Sequence, residues 1–538
     1  MTASLTIHDV WREDGTVRVE ARGSVAYQTG SLAGVRPSPG ADAIILWAPD
    51  IPLPDPAAVT QLLEGPCHVW HAGLKLGQLG QPGLWGFCHP RAMLSRDVDP
   101  ATESMSWRVS LRAVIARNEV FEELGGIDEH FETPETAGLD AGMRWLRHGA
   151  LLRHVPDLIG GIDTVETIDV RSIHDEVRFV SNHMGRTWVL WALGRGLVTR
   201  AVPVRDLPEA RRATKPPAHT PTQYGLKAFG PGPDPAARVT VLVPTVGRYP
   251  YVEPLLRQLE EQTVSPHQVV VVDQNPADQR HDLHAVAPAL PLDVLCLQPP
   301  GQCTARNLGL QAATGTHILF LDDDDEIQPD LIEQHLRVLG PEAVMVSGGL
   351  VDDAESGPAP SSQQFRQLLQ TFPTNNAMIK REVLARTGLF DPTYDRGARA
   401  DHDLGMRSYL AGHLHVYDPG PRVFHHHAPM GGLRTHGARV RTRGNSRSTL
   451  TQRHLRTPTD TYLGLRYYTP KQVHEDLVLS VFATLRGGGG SRWRKAGRLL
   501  LQTMLLPDTW RKTKASASDG ERLLTNRPEI PVLNPPSP

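Results

Sequence analysis

The feature that most constrains this chain is a short apolar segment that ends in a run of five acids. His-Ile-Leu-Phe-Leu at residues 317–321 is followed by four aspartates and a glutamate at residues 322–326. A buried strand of this kind is typical of an open α/β sheet, in which ligands bind beyond the carboxyl ends of the strands. Adjacent carboxylates repel one another unless a cation or a solvated turn offsets their charge. The run could be an acidic loop stabilised by the dipole of the following helix, but the strand before it favours a metal site.

Length and composition indicate a globular protein of more than one domain. The 538 residues exceed the usual size of a single core, so two or three domains are expected. The net charge of -3 argues against a nucleic-acid partner, because binding phosphates requires a concentrated positive surface. The four cysteines, Cys67, Cys88, Cys296 and Cys303, form no Cys-x-x-Cys pair, so neither a disulfide framework nor a thiolate zinc site is indicated.

The sequence carries no pattern typical of export or of membrane insertion. Residues 1–10 lack the basic and apolar regions of a signal peptide. Apolar runs fall short of the roughly 18 residues that a membrane-spanning helix needs. We therefore expect a cytoplasmic protein, either free or peripheral at the inner face of the membrane.

A segment rich in Pro, Arg, Ala and Gly divides the chain at residues 203–238 and is predicted to be a linker. Beyond it, the pattern predicts a strand at 239–243, a helix at 252–262 and a second strand at 268–272. A strand, a helix and a strand at this spacing predict a βαβ unit with parallel strands. A further helix, predicted at 302–313, leads into the acidic strand.

The two halves of the chain share a sequence pattern at a constant offset, because 391 minus 128 and 403 minus 140 are both 263. A constant offset without a gap predicts that the N-terminal region is a diverged copy of part of the C-terminal one. The matching residues are Glu119, Val120, Gly125, Asp128, Asp140, Gly142, Met143 and Arg144 in the first half, and Glu382, Val383, Gly388, Asp391, Asp403, Gly405, Met406 and Arg407 in the second.

The predicted copies differ at the positions where chemistry would occur. Residues 44–50 resemble the acidic strand, but Asp50 alone remains of its acid cluster, and Gly138 stands at the position of Asp401. Too few residues precede this strand to form the βαβ unit of the other copy. We therefore predict that residues 1–202 form a non-catalytic module.

The end of the chain is predicted to contain helices at 451–515 and a disordered tail at 516–538, where Pro and Ser are frequent. Within residues 491–514, basic residues flank leucines and methionine. Such a segment can lie on an anionic membrane surface or pack its apolar side against its own domain. The sequence favours packing and leaves peripheral membrane contact as the alternative.

Several motifs after the linker, in the correct order, resemble those of family 2 glycosyltransferases. The matching segments are Val241-Leu242-Val243-Pro244-Thr245 with Arg248, Val271-Val272-Asp273, Ala305-Arg306-Asn307-Leu308-Gly309, Phe320-Leu321-Asp322-Asp323-Asp324-Asp325 with Pro329-Asp330, and Ala400-Asp401-His402-Asp403-Leu404 with Arg407. The resemblance implies an α/β fold of the GT-A type, with a Rossmann-like mixed sheet, over residues 239–450. It also implies a second, partial GT-A-like module before this domain and leaves a helical C-terminal region after it.

The resemblance implies an inverting glycosyltransferase of the hexosyltransferase type, which requires Mn²⁺ or Mg²⁺. Such an enzyme moves a sugar from a UDP-, GDP- or dTDP-sugar to a hydroxyl of a glycan, lipid-linked or protein acceptor, in polysaccharide, glycolipid or glycan biosynthesis. A divalent cation held by carboxylates neutralises the charge that grows on the departing pyrophosphate. By the same resemblance, Asp322, Asp324 and His425 are the expected metal ligands, and Asp322 and Asp323 also face the ribose.

The remaining site residues are implied in the same way. Pro244, Thr245 and Arg248 would line the nucleotide pocket, Asp273 would accept a hydrogen bond from the base, and Arg306 would reach the phosphates. Asp401 takes the position of the family's general base, which removes the proton of the acceptor hydroxyl. Ala400 replaces the glutamate that the family usually has before this aspartate, and Asp403 is the alternative base.

Two other functions remain open at this point. A nucleotidyltransferase also joins paired aspartates to an α/β sheet, but residues 244–248 do not form the Gly-rich phosphate loop that would favour it. A non-catalytic carbohydrate-binding or scaffolding protein built from two GT-A-like modules is the second alternative. The presence of Asp324, Arg306 and Asp401 in the second module argues against it.

Overall fold

The structure is a computed structural model that describes residues 4–13, 16–72, 83–96, 98–160, 172–213, 225–229, 232–341, 343–353, 360, 363–435, 453, 455–485 and 491–533. These residues form two α/β sheets, one in each half of the chain, and a helical C-terminal region.

The N-terminal half forms a sheet whose strands are β1 (Ser4–Glu13), β2 (Thr16–Ala26), β3 (Ala43–Trp47), β4 (Val69–His71), β5 (Ser104–Met105), β6 (Ala113–Arg117) and β7 (Leu152–His154). The strand order is β2-β1-β3-β6-β4-β7-β5. The helices of this half are α1 (Thr29–Ala33), α2 (Pro56–Glu64), α3 (Trp85–Cys88), α4 (Asn118–Leu124), α5 (Pro134–Arg147), α6 (Ile173–Met184), α7 (Arg186–Val198) and α8 (Leu207–Arg212). Every residue of β3 and β6 is buried, as expected for central strands made of apolar residues.

The C-terminal half forms a larger mixed sheet whose strands are β8 (Val239–Thr245), β9 (Gln268–Asp273), β10 (Leu292–Cys296), β11 (His317–Phe320), β12 (Asp325–Ile327), β13 (Val344–Asp353), β14 (Gln367–Leu368), β15 (Ala377–Lys380) and β16 (Leu414–His425). The order is β10-β9-β8-β11-β15-β13-β16-β12, and β14 also pairs with β16. Its helices are α9 (Tyr249–Glu260), α10 (Leu283–Val286), α11 (Gln302–Ala312), α12 (Leu331–Leu339), α13 (Arg381–Thr387), α14 (Ala400–Leu410) and α15 (Gly432–Thr435).

The predicted βαβ unit is confirmed by β8, α9 and β9. The two strands pair in parallel, and β11 pairs in parallel with the other edge of β8. Helix α9 buries Val252, Leu255, Leu256 and Leu259, which recur at the spacing of three and four residues that one face of a helix requires. Because β8, β9 and β11 are parallel neighbours, their carboxyl ends meet at one edge of the sheet.

Five strands of each sheet correspond in order and direction. β3, β6, β4, β7 and β5 pair in succession in the first sheet, as β11, β15, β13, β16 and β14 do in the second. The registers correspond too, since Met105 lies opposite Arg153 and Leu368 lies opposite Val416. Both of these pairs differ by the predicted offset, because 368 minus 105 and 416 minus 153 are 263.

The two halves are in direct contact. The guanidinium of Arg153 donates a hydrogen bond to the carbonyl of Gly412 at 3.2 Å. The backbone N–H of His415 donates to the sulfur of Met105, also at 3.2 Å. The edge of the first sheet, formed by β5 and β7, therefore packs on α14 and β16 of the second.

The C-terminal region consists of α16 (Pro458–Tyr467), α17 (Pro470–Ala483), α18 (Arg492–Met504) and α19 (Leu506–Thr525). Thr457 and Thr469 begin the first two helices with capping boxes. Arg195 of α7 forms a 2.7 Å ion pair with Glu475 of α17, which joins this region to the first half. Among the described residues, every helix is too short or too polar to cross a membrane.

The tail predicted to be disordered from residue 516 is instead ordered over most of its length. Residues 516–525 complete α19, and Gly520 packs so closely that a Cβ there would lie 2.7 Å from the carbonyl of Pro458. The small residues of this segment, which composition counted towards disorder, are what permit α19 to approach α16. Residues 534–538 lie outside the described residues.

The predicted linker is also partly helical. Residues 204–206 form a 3-10 turn, α8 follows, and Ala210 and Ala213 are buried. The Arg- and Ala-rich composition is compatible with a helix once a neighbouring surface covers its apolar side. The guanidinium carbon of Arg117 lies 3.7 Å from the ring centre of Phe229. Residues 214–224 and 230–231 of the linker, and residues 436–450 of the predicted catalytic domain, lie outside the described residues.

Candidate active site

The acid run forms a turn at the carboxyl end of β11, between the end of β8 and the end of β16. Asp323, Asp324 and Asp325 are 5%, 0% and 3% exposed, so three carboxyl groups lie within the protein. A solvated acidic loop would leave these side chains in water. Their burial therefore requires compensating partners, and the surrounding strands supply them.

Arg248, which follows β8, is the main cationic partner of the buried acids. Its Nη1 lies 2.8 Å from a carboxylate oxygen of Asp323 and 2.8 Å from one of Asp324. The hydroxyl of Thr245 donates to the other oxygen of Asp323 at 2.8 Å. Burial raises the pKa of Asp323 to about 6, although the charge of Arg248 opposes the change. Burial lowers the pKa of Arg248, but the neighbouring acids outweigh it and raise that pKa.

Asp322 is the most open of the four aspartates, with about a third of its side chain exposed at 32%. Arg306 of α11 donates to it at 3.1 Å from Nη2. Arg306 is itself nearly buried, and its Nη1 also donates to the carbonyl of Gln302. Asn307 exchanges two hydrogen bonds with the backbone of Phe390, which fixes α11 in place. Arg306 therefore presents a positive charge beside an accessible carboxylate.

His425 ends β16 and faces the buried acids. Its Nδ1 lies 2.8 Å from Asp325 and 3.7 Å from Asp324. Burial lowers the pKa of His425, but the hydrogen bond to Asp325 and the nearby acids raise it to about 9. His426 and His427 lie beyond the end of the strand, and His427 has a φ of 51°. His427 forms an ion pair with Asp353, and His426 lies 3.1 Å from Glu326.

Asp325 was not among the residues predicted for the site. It lies opposite His425 in the pairing of β12 with β16, and both its carboxylate oxygens are engaged. Burial raises its pKa to about 7. The signal in the sequence was the unbroken acid run beside a histidine run 100 residues later. The register that joins them depends on the pairing of two distant strands, which local patterns do not encode.

The donor types gathered here fit a divalent cation. Carboxylate oxygens from Asp322 and Asp324 and an imidazole nitrogen from His425 are ligands that Mn²⁺ accepts. Arg248 holds one oxygen of Asp324, and the backbone N–H of Ala428 donates to the other at 2.8 Å. The carboxylate is therefore oriented by the protein.

Among the described residues, one group of three metal-type side chains has its ligand atoms all close together, and it lies in the N-terminal half, away from the acid run. Glu132, His174 and Asp175 place ligand atoms within 4.8 Å of one another. The two oxygens of Asp175 already accept hydrogen bonds from the backbone N–H groups of Glu132 and Thr133, at 2.8 and 3.0 Å. Asp175 therefore fixes the two residues just before α5, whose N-cap is Thr133, and we assign this group a structural role.

Asp273, predicted to face the base, ends β9 and is 1% exposed. One oxygen accepts from the hydroxyl of Tyr249 at 2.6 Å, and the other accepts from the backbone and side chain of Asn275. Tyr249 in turn stacks on His281, with ring centres 3.8 Å apart and an interplanar angle of 6°. Burial and the bond to Asp273 raise the pKa of Tyr249 to about 12. The sequence did not single out Tyr249, and the role of Asp273 in binding a base stays a prediction. Pro244 lies opposite Val272 at the same edge.

Asp401 lies in the first turn of α14. Arg399, the residue just before this helix, has a φ of 86°, a backbone conformation that is costly for a residue with a side chain. The carboxylate of Asp401 is 36% exposed and accepts hydrogen bonds from the backbone and ring of His402. Burial raises its pKa, but the charges of His402 and Arg399 outweigh this and lower it. Arg399 is held by Asp460 of α16 at 2.6 Å and by His402 at 2.9 Å.

Asp403, the alternative base, is fully buried. Arg407, Arg466 and Tyr467 surround its carboxylate, with distances of 3.0, 2.5 and 2.8 Å. Asp401 is therefore the more accessible of the two acids. In the described structure, Asp401 and Asp273 lie outside the network of direct contacts that joins Arg248, Arg306 and His425 to the acid run.

The central sheet and its buried acids define the class of protein. A mixed α/β sheet with parallel strands on one side, an antiparallel strand on the other and a carboxylate cluster at the end of the central strand agrees with the predicted GT-A fold. Residues 240–390 match the family model described as Glycosyl transferase family 2. This segment therefore is a family 2 glycosyltransferase domain.

Curated relatives resemble a limited part of the chain. The putative glycosyltransferase EpsH of Bacillus subtilis is 32% identical over 110 residues, which are 20% of this chain and 32% of that protein. An uncharacterized glycosyltransferase of Haemophilus influenzae is 30% identical over 102 residues, which are 19% of this chain and 34% of that protein. The chain thus spans about a third of the length of these relatives.

Matches to solved structures are more distant in sequence. The mannosyltransferase PcManGT from Pyrobaculum calidifontis, in complex with GDP-Man and Mn²⁺, is 19% identical with a TM-score of 0.32, and the match covers 56% of this chain and 91% of that chain. Residues 1–349 of S. aureus TarS, in complex with UDP-GlcNAc, are 17% identical with a TM-score of 0.31, and the match covers 53% of this chain and 90% of that chain.

Proposed function

We propose that this protein is an inverting glycosyltransferase of the hexosyltransferase type that uses Mn²⁺ or Mg²⁺. The observation that carries the proposal is the buried acid cluster at the end of β11, which Arg248, Arg306 and His425 surround. Burying several carboxylates destabilises a fold unless they are paired, so a cluster of this kind is more typical of a functional site than of a structural one. The matched family model supports the same class of reaction.

The donor side of the proposed reaction uses the residues at the ends of β8, β9 and β11. Arg248 and Arg306 offer guanidinium groups, whose planar geometry suits the oxygens of a nucleoside diphosphate. Thr245, Pro244 and Asp273 would border the nucleoside. A divalent cation bound by Asp322, Asp324 and His425 would supply positive charge to the departing pyrophosphate. A UDP-, GDP- or dTDP-sugar is the expected donor.

The acceptor side depends on Asp401. Its lowered pKa keeps the carboxylate ionised near neutral pH, so it can accept the proton of an attacking hydroxyl. In a single displacement, the hydroxyl oxygen bonds to the anomeric carbon as the bond to the phosphate oxygen breaks, which inverts that carbon. A glycan, lipid-linked or protein acceptor is expected, in polysaccharide, glycolipid or glycan biosynthesis.

We also propose that the N-terminal sheet is a degenerate, non-catalytic copy of the second one. The corresponding strand order and the common offset support this origin. Asp50, the remaining acid of the first copy, has a side chain that is 66% exposed and pairs with Arg112 at 2.5 Å. Gly138 stands where the second copy has Asp401, so the first copy lacks the proposed base.

The experiment that tests the proposed function follows release of a nucleoside diphosphate from a panel of UDP-, GDP-, CDP- and dTDP-sugars. We expect release from donors of one nucleotide, in the presence of Mn²⁺ or Mg²⁺ and not with a chelator. Asp324→Asn should abolish release, and Asp50→Asn should leave it unchanged. No turnover with any donor would favour the scaffolding alternative, and turnover that is insensitive to the chelator would overturn the proposed dependence on a divalent cation.

A further inference from the structure

Helix α18 exposes its apolar side and buries its polar side. Trp493, Leu500 and Met504 are 87%, 68% and 73% exposed, and their spacing of seven and four residues places them on one face. Arg498 and Gln502, on the opposite side, are 3% and 0% exposed. The packing of the apolar side that the sequence favoured is therefore wrong for these residues.

The orientation of α18 is held by a polar contact between Arg498 and the end of the preceding helix. Nη2 of Arg498 donates to the carbonyl of Thr484, just after α17, at 3.3 Å. The N-terminus is capped by Ser491, whose hydroxyl accepts from the backbone N–H of Arg494 at 3.3 Å. Turning Trp493 towards the protein would rotate Arg498 away from it and break the hydrogen bond to Thr484. The apolar face is thus directed away from the protein by the fold.

Exposed apolar residues also occur on other helices of this part of the chain. Phe482 at the end of α17 is 43% exposed, and its ring centre lies 5.4 Å from that of Trp191 on α7. Leu190, beside Trp191, is 73% exposed. The grouped apolar side chains that carry the inference are those of α18, and exposed apolar residues grouped on one face mark an interaction site.

The charges around the apolar face identify its partner. Arg492 and Arg494 flank Trp493 along the helix, Lys495 follows, and α18 contains no acid. A second copy of this chain docking on the same face would bring these positive charges against their own counterparts. An anionic lipid surface instead offers an apolar phase for tryptophan, leucine and methionine and phosphates for the flanking cations.

We propose that α18 binds flat in the surface of an anionic membrane, with Trp493, Leu500 and Met504 among the acyl chains and Arg492, Arg494 and Lys495 at the headgroups. This attachment is independent of the proposed sugar transfer, because the residues that carry it are separate from the acid cluster. It would keep the protein at a bilayer without a membrane-spanning helix.

The test is co-sedimentation of the full chain with vesicles of phosphatidylcholine alone or mixed with phosphatidylglycerol. We expect binding to the mixed vesicles that weakens with added salt, and at least tenfold weaker binding to phosphatidylcholine alone. The triple variant Trp493→Ser, Leu500→Ser, Met504→Ser should lose at least tenfold in affinity for the mixed vesicles. Because the three side chains are exposed, its thermal midpoint should match that of the unmodified chain.

Two controls distinguish binding through this surface from nonspecific binding to vesicles. Val532→Ser removes another apolar residue, 68% exposed but outside α18, and should bind vesicles as the unmodified chain does. Replacing Arg492, Arg494 and Lys495 with glutamine should remove the preference for phosphatidylglycerol. The proposal is overturned if the unmodified chain does not sediment with the mixed vesicles, or if the triple serine variant binds as tightly as it does. It is also overturned if light scattering shows that the apolar face instead joins two copies, in a dimer that the triple variant abolishes.

Discussion

The two sheets of this protein share one set of structural contacts and differ in their charged edges. Arg144 and Arg407 occupy corresponding places and make corresponding hydrogen bonds to three consecutive carbonyls. The acceptors are Leu124, Gly125 and Gly126 for Arg144, and Thr387, Gly388 and Leu389 for Arg407. Gly125 and Gly388, at the centre of each set, have φ values of 80° and 77°. These contacts belong to the architecture, because they occur with and without the acid cluster.

The edges differ because the first sheet lacks the parallel βαβ unit of the second. Beside β3 lies the antiparallel hairpin of β1 and β2, whereas beside β11 lies the parallel pair of β8 and β9. Thr245, Arg248 and Asp273 come from that parallel pair, so the first sheet has no counterpart for them. Asp50 correspondingly lies in solvent with Arg112, while Asp323 and Asp324 are buried. The comparison teaches that the added βαβ unit supplies Thr245, Arg248 and Asp273, whereas the acid run and His425 lie at the ends of strands that have counterparts in the first sheet.

The largest effect expected in this comparison is on Asp401, since Gly138 stands 263 residues before it. Asp401→Asn removes the proposed base and keeps the size of the side chain, so sugar transfer should slow by roughly 10²- to 10⁴-fold. The thermal midpoint should change little, since the carboxylate is partly exposed. Steady-state kinetics with the donor found in the turnover panel measures the rate. A variant that transfers sugar within twofold of the normal rate would move the proposed base to another acid.

Arg144 and Arg407 should contribute equally to stability and differently to catalysis. Arg144→Met and Arg407→Met each remove the guanidinium's bonds to three carbonyls and its ion pair with Asp140 or Asp403, and each should lower the free energy of unfolding by about 3 kcal/mol. Arg144→Met should leave the kcat of the folded protein unchanged, whereas Arg407→Met should lower it because α14 also carries Asp401. Urea unfolding and kinetics of the same samples measure both quantities. Equal losses of kcat would show that the first sheet takes part in the reaction.

Arg399 is expected to position Asp401 and to set its charge. Arg399→Met removes the contacts with Asp460 and His402 and should lower kcat by about tenfold, roughly 1.4 kcal/mol. The charge of Arg399 lowers the pKa of Asp401, so its loss should raise that pKa and move the acid limb of the rate profile to higher pH. A pH series of kcat/KM measures this movement. If kcat falls without it, Arg399 acts on the fold alone.

Buried histidines on both sides of the contact between the sheets should make the protein sensitive to acid. Burial lowers the pKa of His71 and His415 to about 3 and those of His154 and His413 to about 4. In the unfolded chain these groups bind protons from about pH 6.5 downwards, while the folded chain resists, so stability is lost as the pH falls below that value. Between about pH 7 and 5.5 each should cost about 1 kcal/mol.

Thermal unfolding at a series of pH values checks this dependence, with the single variants His71→Phe and His415→Phe as probes. Each variant should flatten the acid side of the stability profile by a similar amount, because burial lowers the pKa of both histidines to about 3. The two variants probe one sheet each. An unchanged slope in both variants would assign the acid sensitivity to other groups.

Local patterns predicted β8, α9, β9, α11 and β11 of the second half, and the place of the acid run. The strands β8, β9 and β11 are apolar and short. Because they are parallel, the residues that follow them lie at the same edge of the sheet. The bridge that Arg248 makes between Asp323 and Asp324 needed tertiary structure, as did the pairing of Asp325 with His425. The outward face of α18 was also beyond the sequence, since an amphipathic pattern does not say which side meets the protein.

The measurement that tests the central claim most directly is the thermal midpoint of the purified chain with UDP, GDP, CDP and dTDP, with Mn²⁺ or with a chelator. A ligand that binds the folded state alone raises the midpoint. The account predicts a Mn²⁺-dependent rise with one nucleotide, which Asp324→Asn abolishes and Asp50→Asn preserves. A rise that survives Asp324→Asn, or one that Asp50→Asn removes, would contradict the assignment of the donor site to the second sheet.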